Sequence, residues 1–166
     1  MPSMITRTGI GYDVHRLEAG RPLVLGGVEL KHPQGLGLVG HSDADVLCHA
    51  IADAILGAAG LPDIGHYFPN SDQSLRGISS LEILRRVAGI VADAGARMIN
   101  IDSTLIAEAP QIGPFVPEMR ERIGESLRLP VTRIGVKATT NESLGFLGRG
   151  EGIAALATAS LEMSEE

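Results

Sequence analysis

Residues 41–60, HSDADVLCHAIADAILGAAG, constrain the fold more than any other stretch, because a polar start leads into a long run of apolar residues and alanine. We predict a helix from Asp43 to Gly60 with Ser42 as its N-cap. Asp45, three residues after Ser42, makes a looser version of a capping box. His49 then falls near the second helical turn. The pattern therefore places one imidazole close to the start of a helix.

A second segment, Asp13-Val14-His15, supplies a carboxylate and another imidazole. The residues around it favour a strand, in which side chains two apart project from the same face, so that Asp13 and His15 can reach one point. With His49 they make three protein ligands and leave a fourth tetrahedral position open, as a catalytic zinc requires. Two ordinary alternatives stay open at this point: a hydrogen-bonded Asp-x-His pair, and a core histidine at position 49.

The composition bounds the class of protein. The chain has 166 residues, enough for one domain with a real core, which we place at 1–166. Apolar residues make up 44% and aromatic residues 3%, so the core should be aliphatic and rich in alanine. The net charge of −6, with no basic cluster, argues against nucleic-acid binding. No apolar run is long enough for a membrane span. The single cysteine and the lack of a signal peptide predict a cytoplasmic protein.

The rest of the chain alternates between strand and helix patterns. The final segment, 153–163, is ambiguous, since its alanines favour a helix and its alternation suits a strand. The other predicted elements are, in chain order, a hairpin over 21–31 turning at Gly26-Gly27, a glycine-rich loop over 34–40, a long loop over 61–72, a helix opened by a Ser79–Glu82 capping box, a strand over 98–107, a helix beginning at Pro114 or Pro117, and a strand over 134–139.

Six motifs, taken in order, resemble one enzyme family. Each of the later ones alone fits an ordinary turn, but together they cover Arg7 to about Leu161. The set closely resembles the 2-C-methyl-D-erythritol 2,4-cyclodiphosphate synthases of the non-mevalonate isoprenoid pathway. The motifs are Gly-Ile-Gly-Tyr-Asp-Val-His (9–15), His-Ser-Asp-Ala-Asp-Val-Leu-Cys-His (41–49), Asp-Ile-Gly-x-x-Phe-Pro (63–69), Ala-Glu-Ala-Pro (107–110), Lys-Ala-Thr-Thr-Asn-Glu (137–142) and Gly-Arg-Gly-Glu-Gly (148–152).

The resemblance implies a fold and a reaction. The fold would be α+β: a single domain with a four-stranded mixed sheet backed by helices, forming a homotrimer with the sheets around the threefold axis. It also implies that the segment from Ile153 onward is a strand. The 2-phosphate of 4-diphosphocytidyl-2-C-methyl-D-erythritol 2-phosphate would attack the β-phosphate, closing the cyclic diphosphate and releasing CMP. Such a transfer depends on holding two phosphates in line and neutralising their charge.

The resemblance also implies roles for particular residues. One Zn²⁺ per subunit would be bound by Asp13, His15 and His49. Glu142 would hold a Mg²⁺ or Mn²⁺ ion that bridges the diphosphate, and the two residues at the positions assigned to stabilising the transition state are His41 and Thr140. The methylerythritol phosphate pocket would be lined by Ser42, Asp63, Ile64, Gly65, Phe68 and Asp72.

The cytidine diphosphate part of the substrate would be received by a neighbouring subunit. The residues implied are Ala107, Glu108, Ala109, Pro110, Gln111, Ile112 and Gly113, with Thr139, Thr140 and Asn141. A cavity on the threefold axis, lined by Phe146, Arg149 and Glu151, would hold isoprenoid diphosphates, although an interfacial ion pair with Glu151 explains Arg149 equally well. His66 receives no metal role. Asn70 stands where the family often has an acid, which favours Asp72 as the acid of the pocket.

Two other functions compete with this interpretation. A zinc phosphohydrolase would use the same three ligands to activate water and would release inorganic phosphate. A non-catalytic trimeric module would bind isoprenoid diphosphates or cytidine nucleotides without turnover. Detection of CMP, with and without divalent metal, separates the synthase from both alternatives.

Overall fold

Two long antiparallel strands form the centre of the sheet in a computed structural model that describes residues 2–165. Strand β1 is Met4–Ala19 and the last strand, β7, is Gly152–Ser164, and Asp13 pairs with Ala155. The segment after residue 152 is therefore a strand, as the resemblance implied and the alanine content did not. The other strands are β2 (Leu23–Leu25), β3 (Val28–Leu30), β4 (Leu36–Leu38), β5 (Arg97–Ile106) and β6 (Lys137–Thr139).

The main sheet has five strands within residues 2–165, in the order β4-β1-β7-β5-β6, and β2 and β3 form a separate hairpin. The prediction of four strands was wrong by one, because two edge strands of only three residues flank the long ones. β4 pairs with the end of β1 inside the segment predicted as a glycine-rich loop. β6 pairs in parallel with β5, so the sheet is mixed, as expected. The fold is α+β.

Helices cover one face of this sheet. Helix α1 packs against β1 and β7, and the two glycines of β1 allow its close approach. A Cβ atom on Gly11 would lie 1.8 Å from the Ala50 carbonyl oxygen, and one on Gly9 would lie 2.1 Å from that of Ala54. No side chain fits in either place. The helices are α1 (Val46–Ala58), α2 (Ile64–Tyr67), α3 (Ser80–Asp93), α4 (Val116–Leu127) and α5 (Gly145–Gly148).

The hydrophobic core is aliphatic, as the composition predicted. α1 contributes most of its length to it, including the fully buried Leu47, Ile51 and Ile55. α3 buries Leu84, Val87 and Val91, whereas Leu81 and Ile90 are only partly buried. α4 buries Met119, Ile123 and Leu127, and Pro117 lies in its first turn. None of the helices within residues 2–165 is long and apolar enough to cross a membrane.

Two predicted helix starts need correction. α1 begins at Val46, three residues later than predicted, because Ala44 has a left-handed φ of 58° and interrupts the helix. Asp45, and not Ser42, is the N-cap, since its carboxylate accepts from the Cys48 N–H. α3 does follow Ser79, but that side chain makes no capping hydrogen bond, and Glu82 instead pairs with two arginines of its own helix.

The opposite face of the sheet is not covered by any element within residues 2–165. Even-numbered residues of β1 and β7 project from it, and several are large and apolar. Ile10 is 72% exposed, Tyr12 52%, Leu156 41% and Val14 37%. Tyr12 pairs with Leu156 across the two strands, so these side chains form one continuous apolar surface. We call Ile10, Tyr12, Val14 and Leu156 the open sheet face.

Candidate active site

Three side chains converge on one point at the junction of β1 and α1. The Asp13 Oδ2 atom lies 2.8 Å from His15 Nε2 and 3.0 Å from His49 Nδ1, and the two nitrogens are 3.3 Å apart. Ligand atoms about 2.0–2.1 Å from a tetrahedral zinc are separated by roughly 3.3 Å, so the spacing suits such an ion. Alternation along β1 brings Asp13 and His15 to the face covered by α1, as predicted, and the first turns of the helix add His49.

Hydrogen-bond chemistry shows why this triangle favours a cation. His15 Nδ1 lies 2.7 Å from the Val39 carbonyl oxygen, which can only accept, so this nitrogen donates. In a neutral imidazole the other nitrogen, Nε2, then presents a lone pair to the carboxylate of Asp13. Two lone pairs at 2.8 Å repel each other unless a positive charge lies between them. The donor set therefore fits a divalent metal, or a proton in its absence.

The pKa shifts agree with that analysis. Burial raises the pKa of Asp13, but hydrogen bonds and positive charge from His15 and His49 outweigh it and lower the pKa to about 2. Burial lowers the pKa of His15, yet the hydrogen bond and charge of Asp13 raise it above the usual value overall. The carboxylate is thus charged at every physiological pH, and the site attracts a cation.

A cavity of about 390 Å³ opens beside the triad. Val39 and Gly40, which precede α1, form one wall, and the 61–72 loop with α2 forms another. His41 is held at the rim, with its Nε2 atom 3.2 Å from the Asp72 carbonyl oxygen. The predicted residues that border the cavity are Asp13, His15, His41, Ser42, His49, Asp63, Ile64, Gly65 and Phe68.

A second group of predicted residues lies on the loops after β5 and β6. Glu108 Oε1 accepts from the Asn141 N–H at 3.1 Å and the Ser143 N–H at 3.0 Å, so this carboxylate joins the two loops. Glu142 between them is exposed, and its N–H donates to Thr140 Oγ1 at 3.2 Å. No member of this group borders the cavity beside the triad in the part of the chain that the structure describes.

Comparison with known proteins places the chain in a family. The profile of the YgbB family matches residues 6–162. The chain belongs to the YgbB family. It is 55% identical over 167 residues to the 2-C-methyl-D-erythritol 2,4-cyclodiphosphate synthase of Akkermansia muciniphila, covering 100% of this chain and 98% of that relative.

Solved structures give the same result. The bifunctional IspDF of Campylobacter jejuni matches 99% of this chain at 43% identity with a TM-score of 0.92, and this chain spans 44% of the IspDF chain. The CDP complex of IspF from Plasmodium falciparum matches with a TM-score of 0.81 at 30% identity, over 97% of each chain. The YgbB-family fold is therefore shown by sequence and by structure.

Sequence reasoning missed one acid of this YgbB-family site. Asp53 borders the cavity, and its Oδ1 accepts from the Ile64 N–H at 2.9 Å, which ties the 61–72 loop to α1. Burial raises the pKa of Asp53. Its spacing of four residues from His49 on one helix was the available signal. Asn70 also borders the cavity, whereas the Asp72 carboxylate is turned to the Ser74 N–H and hydroxyl.

Several predicted contacts have structural partners within the chain. Ala107 and Ile112 are 5% and 4% exposed, so their side chains belong to the core and only their backbone could meet a ligand. Arg149 Nε donates to Glu151 at 2.7 Å, the ion pair that was the alternative to an axial ligand site. Phe146 is 45% exposed on α5. The remaining members, Ala109, Pro110, Gln111, Gly113 and Thr139, lie at or near the surface.

Proposed function

We propose that this chain converts 4-diphosphocytidyl-2-C-methyl-D-erythritol 2-phosphate to 2-C-methyl-D-erythritol 2,4-cyclodiphosphate and CMP, as a phosphorus–oxygen lyase. The observation that supports it most is the convergence of Asp13, His15 and His49 beside a cavity, in a chain 55% identical to a protein of that name. A zinc ion bound by these three residues would polarise the phosphoryl group under attack and help to orient it.

The chain's own residues supply positioning. In an intramolecular transfer the attacking and leaving oxygens must stand in line with the phosphorus, and most of the catalytic effect comes from holding them so. His41 and Ser42 stand next to each other at the cavity rim, where they would contact the phosphate groups of the substrate. Asp63 and the short helix α2 lie on the opposite side of the cavity, where they would form hydrogen bonds with the hydroxyl groups of the methylerythritol moiety.

Glu142 is proposed as the ligand of a second ion, Mg²⁺ or Mn²⁺. Its carboxylate is exposed on a loop that Glu108 holds through the flanking N–H groups. Its φ of 52° is left-handed, so the loop keeps an unfavourable conformation in order to present this residue. A hard cation shared between one carboxylate and phosphate oxygens is the usual arrangement for magnesium.

A Glu142→Gln variant tests the second ion. The change preserves shape and removes the charge, so turnover at low magnesium should fall by about 100-fold, given several kcal/mol of charge stabilisation from such an ion. A high magnesium concentration should restore part of the lost turnover, and the zinc content should be unchanged. Glu121→Gln on the exposed side of α4 is the matched control. A magnesium dependence identical to that of the parent chain would contradict the assignment of Glu142.

The functional unit is proposed to be a homotrimer. The open sheet face is a contiguous apolar surface of the kind that marks an interface, and three copies could pack it around a threefold axis. The cavity and the loops after β5 and β6 are separate in one chain, so a neighbouring subunit would have to supply the cytidine-binding half. The CDP complex of the Plasmodium relative supports a cytidine nucleotide as ligand. A cytoplasmic location is part of the proposal and rests on the single cysteine.

The deciding assay incubates the purified protein with the diphosphocytidyl substrate and measures the products. We expect CMP and the cyclic diphosphate in equal amounts, and no product after chelation. Release of inorganic phosphate would favour the zinc phosphohydrolase, and tight binding of CDP without turnover would favour the binding module.

Metal binding should depend on pH in a direction set by His15. An imidazolium has no lone pair for a metal, and the pKa of His15 is raised, so proton competition begins above the usual imidazole range. Affinity for zinc should be level at high pH and should fall by about tenfold per unit as the pH drops through that pKa. Asp13, with a pKa of about 2, stays charged throughout. Titration calorimetry between pH 5 and 8 checks this, and a flat profile would contradict it.

A further inference from the structure

The nitrogen of His49 that faces away from the triad meets two hydroxyl groups. His49 Nε2 lies 2.9 Å from Ser80 Oγ and 3.1 Å from Ser42 Oγ. Ser80 is fully buried at the first position of α3, 31 residues from His49 in the chain. Packing of α3 against α1 therefore places the Ser80 hydroxyl beside the His49 nitrogen that faces away from the proposed metal.

Asp43 fixes the direction of that hydroxyl. The Ser80 hydroxyl donates to Asp43 Oδ1 in a short contact, and the Ser80 N–H donates to Asp43 Oδ2 at 2.9 Å. A carboxylate only accepts, so the one proton of the Ser80 hydroxyl is used on Asp43. The hydroxyl then presents only lone pairs to His49.

The consequence for His49 follows from its two nitrogens. Facing the lone pairs of Ser80, Nε2 must bear the hydrogen and donate. In the neutral ring Nδ1 is then unprotonated, and Nδ1 is the atom that lies 3.0 Å from Asp13. We propose that Asp43 and Ser80 are positioning residues, which act through His49 by holding its imidazole in the one tautomer that can bind a metal at Nδ1. This inference rests on the metal site of the proposed function but not on its reaction.

Ser42 does not by itself impose the same choice. Its oxygen already accepts from the Ala44 N–H at 3.1 Å, but its own hydrogen is free to rotate. It can accept from Nε2–H or donate to an unprotonated Nε2, so it tolerates either tautomer of His49. The Ser80 hydroxyl, with its hydrogen fixed on the carboxylate of Asp43, selects one.

The tautomer can be measured directly in the unmodified protein. Long-range ¹H–¹⁵N spectra of the histidine rings separate a protonated nitrogen from an unprotonated one, and assignment through a His49→Gln variant identifies the signals. In the metal-free protein above the histidine titration range, we expect His49 with hydrogen on Nε2. Hydrogen on Nδ1 as the main form would overturn the proposal whether or not any variant folds.

Two variants test the two residues against a matched control. Ser80→Ala removes one acceptor and leaves Ser42, so zinc affinity should fall by about tenfold, the lower end of the effect of losing such a partner. Asp43→Asn should lower zinc affinity by about 100-fold, because three donors face this side chain (the Asp45 N–H, the Ser80 N–H and the Ser80 hydroxyl) and an amide has only one acceptor oxygen for them, so the hydroxyl hydrogen is no longer held away from His49. Ser79→Ala, one residue away with no side-chain capping bond, should leave affinity unchanged.

Affinity is measured by chelator competition starting from stripped protein, and cobalt substitution reports the coordination through its visible spectrum. Thermal unfolding shows whether each variant is folded. Folded Ser80→Ala and Asp43→Asn variants with the zinc affinity and cobalt spectrum of the parent would overturn the proposal. These readouts need no turnover, so absence of CMP release in the parent chain would contradict the proposed function while leaving this inference to be decided on its own.

Discussion

A His49→Ala variant should purify without zinc and release CMP about 1,000-fold more slowly than the parent chain. In the proposed zinc site His49 would supply one of three ligand atoms, and loss of the ion would remove several kcal/mol of charge stabilisation in the transition state. The fold should survive, since His49 lies at the edge of the core near the start of α1 and contributes polar contacts. Elemental analysis and chromatographic detection of CMP measure the two effects.

His66→Ala is the matched control for that experiment. His66 is exposed on α2 with its ring edge against Tyr67, and it makes no contact with the triad. The zinc content of the His66→Ala variant should equal that of the parent chain. Stoichiometric zinc and full turnover in His49→Ala would contradict the assignment of the metal site, and a loss of zinc in His66→Ala would show that the ligand set had been chosen wrongly.

Much of the candidate metal site could be predicted because the convergence of its side chains depends on short-range geometry. Side chains two residues apart on a strand project from the same face, whatever the rest of the fold does. Asp13 and His15 could therefore be paired from sequence alone. The start of α1 was misplaced for an equally local reason. Ala44 adopts a left-handed conformation that alanine rarely takes, and no pattern of residue types announces it.

Long-range packing accounts for what sequence missed. Ser80 and Asp43 touch because α3 lies against α1, and a serine next to a predicted N-cap gives no sign of such a partner. The contact of Glu108 with substrate stays a prediction, but its role in joining two loops through Asn141 and Ser143 was not foreseen from the sequence. Ala107 was predicted to end a strand and to help receive the cytidine part of the substrate. Its burial was not predicted, and it arises where β5 and β6 end together and the Ala107 N–H donates to the Thr139 carbonyl.

The burial of Ala107 affects the choice of a variant that tests the proposed trimer. Such a variant needs a bulky side chain that prevents cytidine from binding to the 107–113 loop. A tryptophan at Ala107 would disrupt the core, so the substitution is better made at Gln111, which is exposed. In the proposed trimer, a Gln111→Trp subunit would keep the metal half of the site and lose the cytidine half, whereas a His49→Ala subunit would do the reverse. Each variant alone should be nearly inactive, because every interface of its trimer contains one damaged half.

Mixed trimers of these two variants should regain activity. If each site joins the metal half of one subunit to the cytidine half of the next, random mixing in equal amounts gives about a quarter of the interfaces two intact halves. CMP release should then rise to about a quarter of the parent rate after the subunits are unfolded together and refolded, with native mass spectrometry to verify exchange. Mixing His49→Ala with Asp13→Ala is the control, since two metal-half variants cannot complement. Verified exchange without recovery would mean that each chain builds its site alone, and the trimeric site would have to be abandoned.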